Sequence, residues 1–325
     1  MENLLEIKNL TIQYRTNNQT VEAVNHLNLS LAKGESLGLV GETGAGKTTT
    51  ALGIMGLIPN PPGIVTEGEI FFEGQDLLKM SKQKMRTIRG KKISMIFQDP
   101  MTSLNPVVTV GDQIAESIRI HEKVSRSAAA AKAKEMLELV GIPAERYGEY
   151  PHQFSGGMKQ RVIIAIAISC NPDLMLADEA TTALDVTIQA QVLDLIDRLK
   201  KEKQTSLIMI THDLGIVAEV CDKVAIMYAG RIVEYGTLDQ IYNNTCHPYT
   251  KGLFGSIPDL DTKVKRLQPI PGLMPDPANL PEGCSFCPRC QCAMECCKNQ
   301  RPQMIEVEPG HFVECFHFSE EGENV

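Results

Sequence analysis

The stretch Gly41-Glu42-Thr43-Gly44-Ala45-Gly46-Lys47-Thr48 restricts the folds open to this chain more than any other. It fits G-x-x-x-x-G-K-[ST] in full. The apolar run at 36–40, which reads as a strand, leads into it, and residues 51–57 read as a helix after it. Between a strand and a helix, such a loop curls so that successive backbone N–H groups face an anion, and the helix N-terminus adds its positive dipole end. Lys47 then reaches the β and γ phosphates of a nucleotide, and Thr48 offers its hydroxyl to Mg²⁺, with Thr49 completing the contacts. The side chains of Glu42 and Thr43 are expected to point away from the backbone cradle.

A phosphate loop needs a carboxylate for the metal. The apolar run 174–177 reads as a strand and ends in Asp178-Glu179. Asp178 is placed to hold Mg²⁺, and Glu179 to polarise the attacking water as a general base. Further strands are read at 5–14, 68–72, 206–211 and 224–228. Val192, Leu195, Ile196 and Leu199 share one face of a helix, and residues 106–147 are mostly helical, with a stop at Gly141 and Pro143. Strands alternating with helices predict an α/β fold with a mixed, mostly parallel sheet covered on both faces. From about residue 247 the chain turns rich in Pro, Gly and Cys, which sets a boundary between 1–246 and 247–325.

Composition narrows the class. A net charge of −8 argues against a nucleic-acid partner, which would call for a basic surface. The first residues lack the basic and apolar regions of a secretory leader, and the apolar run 162–168 is far short of the about 20 residues a membrane span needs. A soluble, intracellular chain is the expectation, with any membrane role coming through partners.

Several further motifs follow in order. Phe97-Gln98-Asp99 comes first, then Phe154-Ser155-Gly156-Gly157-Met158 with Lys159-Gln160-Arg161, then Thr182-Ala183-Leu184-Asp185 and Thr211-His212-Asp213. With the phosphate loop and Asp178-Glu179, they make the chain resemble the ABC ATPases along its whole length. That resemblance implies a P-loop core, a helical subdomain at about 104–158, and two ATPase domains paired head to tail. It implies that Gln98 ligates Mg²⁺ and that His212 contacts the γ-phosphate. It also implies that Ser155, Gly156 and Gly157 bind nucleotide from the opposite subunit, that Asp185 belongs to the same interface, and that Tyr14 stacks on adenine.

The stretches at 98–106, 247–250 and 283–290 are similar to the oligopeptide, dipeptide and nickel importer branch. In that branch Met158, where the companion F-type subunit carries Gln, marks the D-type ATPase. The implied partners are an F-type ATPase subunit, two transmembrane permease subunits and an extracytoplasmic substrate-binding protein, with the chain peripheral on the cytoplasmic face of the inner membrane. Peptide import is the implied function. Import of nickel or a metal chelate is the alternative cargo, and a soluble ABC ATPase outside transport is a further reading.

Of the ten cysteines, seven fall between Cys284 and Cys315. In a reducing compartment such a group reads first as a metal site. The resemblance implies a [4Fe–4S] cluster on Cys284, Cys290, Cys297 and Cys315. Spacing alone leaves open a ferredoxin-like run through Cys287, a zinc site, or free thiols. The cysteine region and the phosphate loop are expected to form separate cores.

Overall fold

The computed structural model of the chain describes residues 3–16, 19–97, 103–180, 186–256 and 269–319. In chain order the strands are β1 (Asn3–Arg15), β2 (Thr20–Ala32), β3 (Ser36–Val40), β4 (Gly63–Phe72), β5 (Gln75–Asp76) and β6 (Ile93–Ile96). They continue as β7 (Leu174–Asp178), β8 (Ser206–Thr211), β9 (Lys223–Tyr228), β10 (Arg231–Thr237), β11 (Met304–Glu308) and β12 (His311–Glu314). The chain forms two compact units. The first is Met1–Leu5, Leu31–Ser36 and Phe72–Cys221; the second is Glu6–Ser30, Leu37–Phe71 and Asp222–Val325.

In the first unit β6, β7 and β8 run parallel, with Ile96 opposite Ala177 and Asp178 opposite Ile210. Every residue of these three strands is buried. Continuous apolar runs are what a parallel sheet with both faces covered requires. Helix Val186–Lys203 buries Val192, Leu195, Ile196 and Leu199, the face read from their spacing. Helices Val110–Glu122 and Arg126–Leu139 pack on each other. Their N-caps are Thr109 and Ser125, whose side chains accept the N–H groups of Asp112 and Ala128. The second of these helices stops just ahead of Gly141, whose φ is 75°.

In the second unit β9 pairs with β3 in parallel, Val40 opposite Ile226, and with β10 antiparallel. β12 adds to β10, and β11 to β12, both antiparallel. A separate sheet has the order β2-β1-β4. The C-terminal residues thus extend the sheet that carries the phosphate loop, instead of folding around a core of their own. The strands form the expected α/β class, a parallel core with antiparallel additions. Among the described residues no helix is long and apolar enough to cross a membrane.

Candidate nucleotide site

The phosphate loop follows β3 in the second unit. Helix Lys47–Ile54 begins at the motif lysine, earlier than the expected 51–57, because Gly46 (φ 105°) turns the chain into it. A side chain at Gly46 would stand 2.2 Å from the Ala23 carbonyl oxygen, and one at Gly41 2.1 Å from that of Met227. Both positions therefore demand glycine, for space and, at Gly46, for conformation. Lys47 is 6% exposed, and its Nζ donates to the carbonyls of Gly41 (2.7 Å) and Glu42 (3.0 Å). Those contacts draw the ammonium across the mouth of the loop. Thr48 and Thr49 follow in the first helical turn. Tyr14, on β1, is half-buried and lies against the turn at Gly63.

Glu42 points as expected away from the cradle, and two partners hold it. Its N–H donates to Tyr249 Oη at 3.0 Å, and its Oε2 accepts from Arg289 Nη1 at 3.0 Å. Tyr249 is fully buried and Arg289 is 8% exposed. The expectation of separate cores for the phosphate loop and the cysteine region does not hold, since Arg289 lies between Cys287 and Cys290.

In the first unit Asp178 ends β7 and is 2% exposed. The next residue, Glu179, has φ 45°, a left-handed conformation that costs energy in a residue with a side chain. Its N–H donates to the Ile210 carbonyl at 2.9 Å. Its Oε1 lies 3.2 Å from His212 Nδ1. His212 follows β8 and is held by the turn after it, where Asp213 caps helix Leu214–Val220. The structure thus brings the expected base and the expected histidine together, a pairing that their separation in sequence gives no means of predicting. The Glu179 side chain is 12% exposed and that of His212 59%, so the imidazole stands at the surface and the carboxylate beneath it.

Ser155 caps helix Gly156–Ile168, accepting the Met158 N–H at 3.4 Å. A side chain at Gly156 would meet nothing within 4 Å, whereas at Gly157 it would stand 2.5 Å from Ile188. This helix N-terminus is open to solvent on the Gly156 side. The Met158 sulfur accepts from Arg146 Nη1 at 3.4 Å, and the same guanidinium lies over the Phe154 ring at 4.3 Å. Gln160, 1% exposed, donates to the Ala180 carbonyl and ties this helix to the segment following Glu179. Gln98 and Asp185 lie outside the described residues.

In the second unit Cys297 is buried, and Cys284, Cys290 and Cys315 are partly so. Burial pushes the Cys284 thiol up to about 12 and the Cys315 thiol up to about 11. Backbone hydrogen bonding from Phe286 and Cys287 works against that rise at Cys284, as it does from Cys292 at Cys290 and from His317 at Cys315. Buried sulfurs approached by amide donors suit thiolates neutralised by a soft metal centre. Among the described residues, Glu234, Cys246 and His311 are the His, Cys and acidic side chains whose donor atoms lie within 4.8 Å of one another in a group of three. That carboxylate is already engaged. Oε1 accepts from the Cys246 N–H (2.7 Å) and His311 Nε2 (3.0 Å), and Oε2 from the His247 N–H (3.0 Å).

Comparison with known proteins agrees with the geometry. Residues 24–182 match the ABC transporter family, and residues 233–297 match the oligopeptide/dipeptide transporter C-terminal region. A dimeric bacterial ABC transporter cassette, MJ0796, aligns with a TM-score of 0.65 at 26% identity, over 72% of this chain and 98% of that one. The oligopeptide transport ATP-binding protein OppD of Bacillus subtilis (strain 168) is 53% identical, over 95% of this chain and 87% of the relative. The dipeptide transport ATP-binding protein DppD of the same strain is 49% identical, over 97% and 95%. The chain belongs to the ATP-binding proteins of ABC transporters, in the oligopeptide/dipeptide branch. It is an ATPase, and membership implies membrane-spanning permease subunits and a substrate-binding protein as partners.

Proposed function

We propose that this chain is the D-type ATPase of a peptide importer, working at the cytoplasmic face of the inner membrane beside an F-type ATPase subunit. The observation that carries the cargo is near-full-length similarity to oligopeptide and dipeptide transport ATP-binding proteins. Met158 carries the pairing, because it stands where the companion subunit has Gln. Uptake of labelled dipeptides and longer peptides by the reconstituted transporter tests the cargo. ATP-dependent peptide uptake that competes with unlabelled peptide is expected. Uptake of nickel and not peptide would overturn the reading.

The roles follow from chemistry. Amides of the loop beyond Glu42, whose own N–H is taken by Tyr249, cradle the phosphates, and Lys47 turns from the loop carbonyls to the β and γ phosphates. Thr48, Asp178 and Gln98 would hold Mg²⁺, which would supply positive charge to the phosphate oxygens. Glu179 takes the proton of the attacking water as its oxygen bonds to the γ-phosphorus and the bond to ADP breaks. His212, against Glu179 Oε1, orients that carboxylate and faces the γ-phosphate. Ser155, Gly156 and Gly157 serve the partner's nucleotide, for which the open side of Gly156 leaves room. Tyr14 and Asp185 complete the adenine contact and the interface.

The division at residues 246/247, with a helical subdomain at 104–158, marks where the cysteine region begins in the sequence, although that region shares a compact unit with the phosphate loop. Cys284, Cys290, Cys297 and Cys315 hold a [4Fe–4S] cluster in this reading. Among the described residues no three cysteine sulfurs lie within 4.8 Å of one another. When bound, the cluster crosslinks a loop-rich segment with little apolar core of its own.

A further inference from the structure

The cysteine region touches the phosphate loop at three points. Tyr249 Oη accepts the Glu42 N–H, Arg289 pairs with the Glu42 carboxylate, and Met274 closes over Gly44, where an added side chain would stand 2.9 Å from its Cε. Arg289 is the most exacting of these. Its side chain is 6% exposed, and each of its contacts is specific. Nε donates to the Pro271 carbonyl at 3.0 Å, and Nη1 reaches both Glu42 Oε2 (3.0 Å) and Tyr228 Oη (3.4 Å). The guanidinium also lies 5.8 Å from the centre of the Tyr228 ring. Tyr228, Tyr249 and Phe286 form one aromatic cluster around it, with ring centroids 4.6 to 5.4 Å apart. A buried cation this well fitted is costly to leave unpaired, so the arrangement fixes Glu42 instead of merely tolerating it.

We propose that Arg289 is a positioning residue for nucleotide binding: it clamps Glu42 at the entrance of the phosphate loop and makes the loop's shape depend on the 284–290 cysteine turn. The backbone geometry supports this. Glu42 spends its N–H on Tyr249 and offers its carbonyl to Lys47 Nζ, so a shift of Glu42 moves the oxygen that Lys47 must leave when phosphate arrives. Arg289 itself touches no phosphate. The Cys287 N–H donates to the Cys284 carbonyl, and that of Cys290 to the Cys287 carbonyl, so the two turns bracketing Arg289 are set by the cysteines on either side. Any change that loosens those turns then reaches the nucleotide through one side chain. The inference rests on residues 41–49 being the phosphate loop.

The experiment measures the affinity of a non-hydrolysable ATP analogue, and KM and kcat for ATP, in the assembled transporter. The variants are Arg289→Gln, Glu42→Gln, their combination, and Lys47→Ala. Glu42→Gln leaves the cysteine turn intact, so it remains informative should Arg289→Gln fold poorly. Each single Gln variant is expected to weaken analogue binding about tenfold, with the loss falling on KM and not on kcat. The double variant should be no weaker than the worse single one, as coupled partners require. Backbone amides 42–47 should exchange hydrogen faster in both single variants. Affinity within about twofold of wild type in both single variants, with Lys47→Ala defective, would overturn the clamp. Unchanged binding in Lys47→Ala would overturn the loop assignment beneath it. Additive losses in the double variant would show that the two side chains act separately.

Discussion

Gly46 and Gly156 sit in the two segments assigned to phosphate, yet the chain needs them for different reasons. At Gly46 the backbone is left-handed and the Ala23 carbonyl fills the space of a side chain, so the need is internal. At Gly156 the helix start is open, and no described residue lies within 4 Å of an added methyl group. Gly46→Ala should therefore lower both the melting temperature and nucleotide binding. Gly156→Ala should fold with stability within about 0.5 kcal/mol of wild type yet reduce turnover in the assembled transporter. Thermal melts beside ATPase assays separate the two. Equal loss of stability in both variants would contradict the assignment of Gly156 to a partner's nucleotide. Glu179 belongs to this scale as well, since its left-handed backbone aims its carboxylate at His212.

The C-terminal elements show what local pattern carries and what it leaves out. His247 caps helix Pro248–Gly255 by accepting the Tyr249 N–H on Nδ1 at 3.0 Å, and Pro248 supplies the fixed φ suited to a first turn. Complete burial drives its imidazole down to about 3, which keeps it neutral and able to accept that hydrogen bond. Glu234 anchors the same corner through the amides of Cys246 and His247. A metal centre on the neighbouring cysteines is tested by anaerobic purification. Iron and acid-labile sulfide are expected in the wild type. They should be absent from serine variants at Cys284, Cys290, Cys297 or Cys315, and retained by those at Cys287, Cys292 or Cys296. Stoichiometric zinc without sulfide, or a full iron load in Cys315→Ser, would contradict the cluster. β7, β8 and β9 were legible because each carries an unbroken apolar run of four or more residues. The parallel strand β6, interrupted by Ser94, was not read, and neither were β2, β5, β10, β11 and β12. β10 carries Glu234 and Gly236 inside it, and β11 alternates exposed and half-buried residues against a partner that only the fold supplies. Glu234, Tyr249 and Arg289 were missed as supports of the site for the same reason. Their partners lie 12 to 247 residues away, and no spacing rule links them.

For the molecule as a whole, the phosphate loop belongs to one compact unit, and the base, the histidine and the signature helix to the other. The motif order supplied the expected set of nucleotide residues, whereas the contacts of the cysteine region with the phosphate loop became visible only in the fold. Under the proposed function, ATP is hydrolysed using Glu179 at a site completed by a second ATPase subunit. The most direct measurement is ATP turnover and ATP retention by the assembled transporter carrying Glu179→Gln, which keeps the size of the side chain and removes the base. The variant is expected to bind ATP, hold the two ATPase subunits closed together and turn over at least about a hundredfold more slowly than wild type. Turnover near the wild-type rate, or equal turnover by the isolated wild-type chain and the complete assembly, would contradict the proposed function.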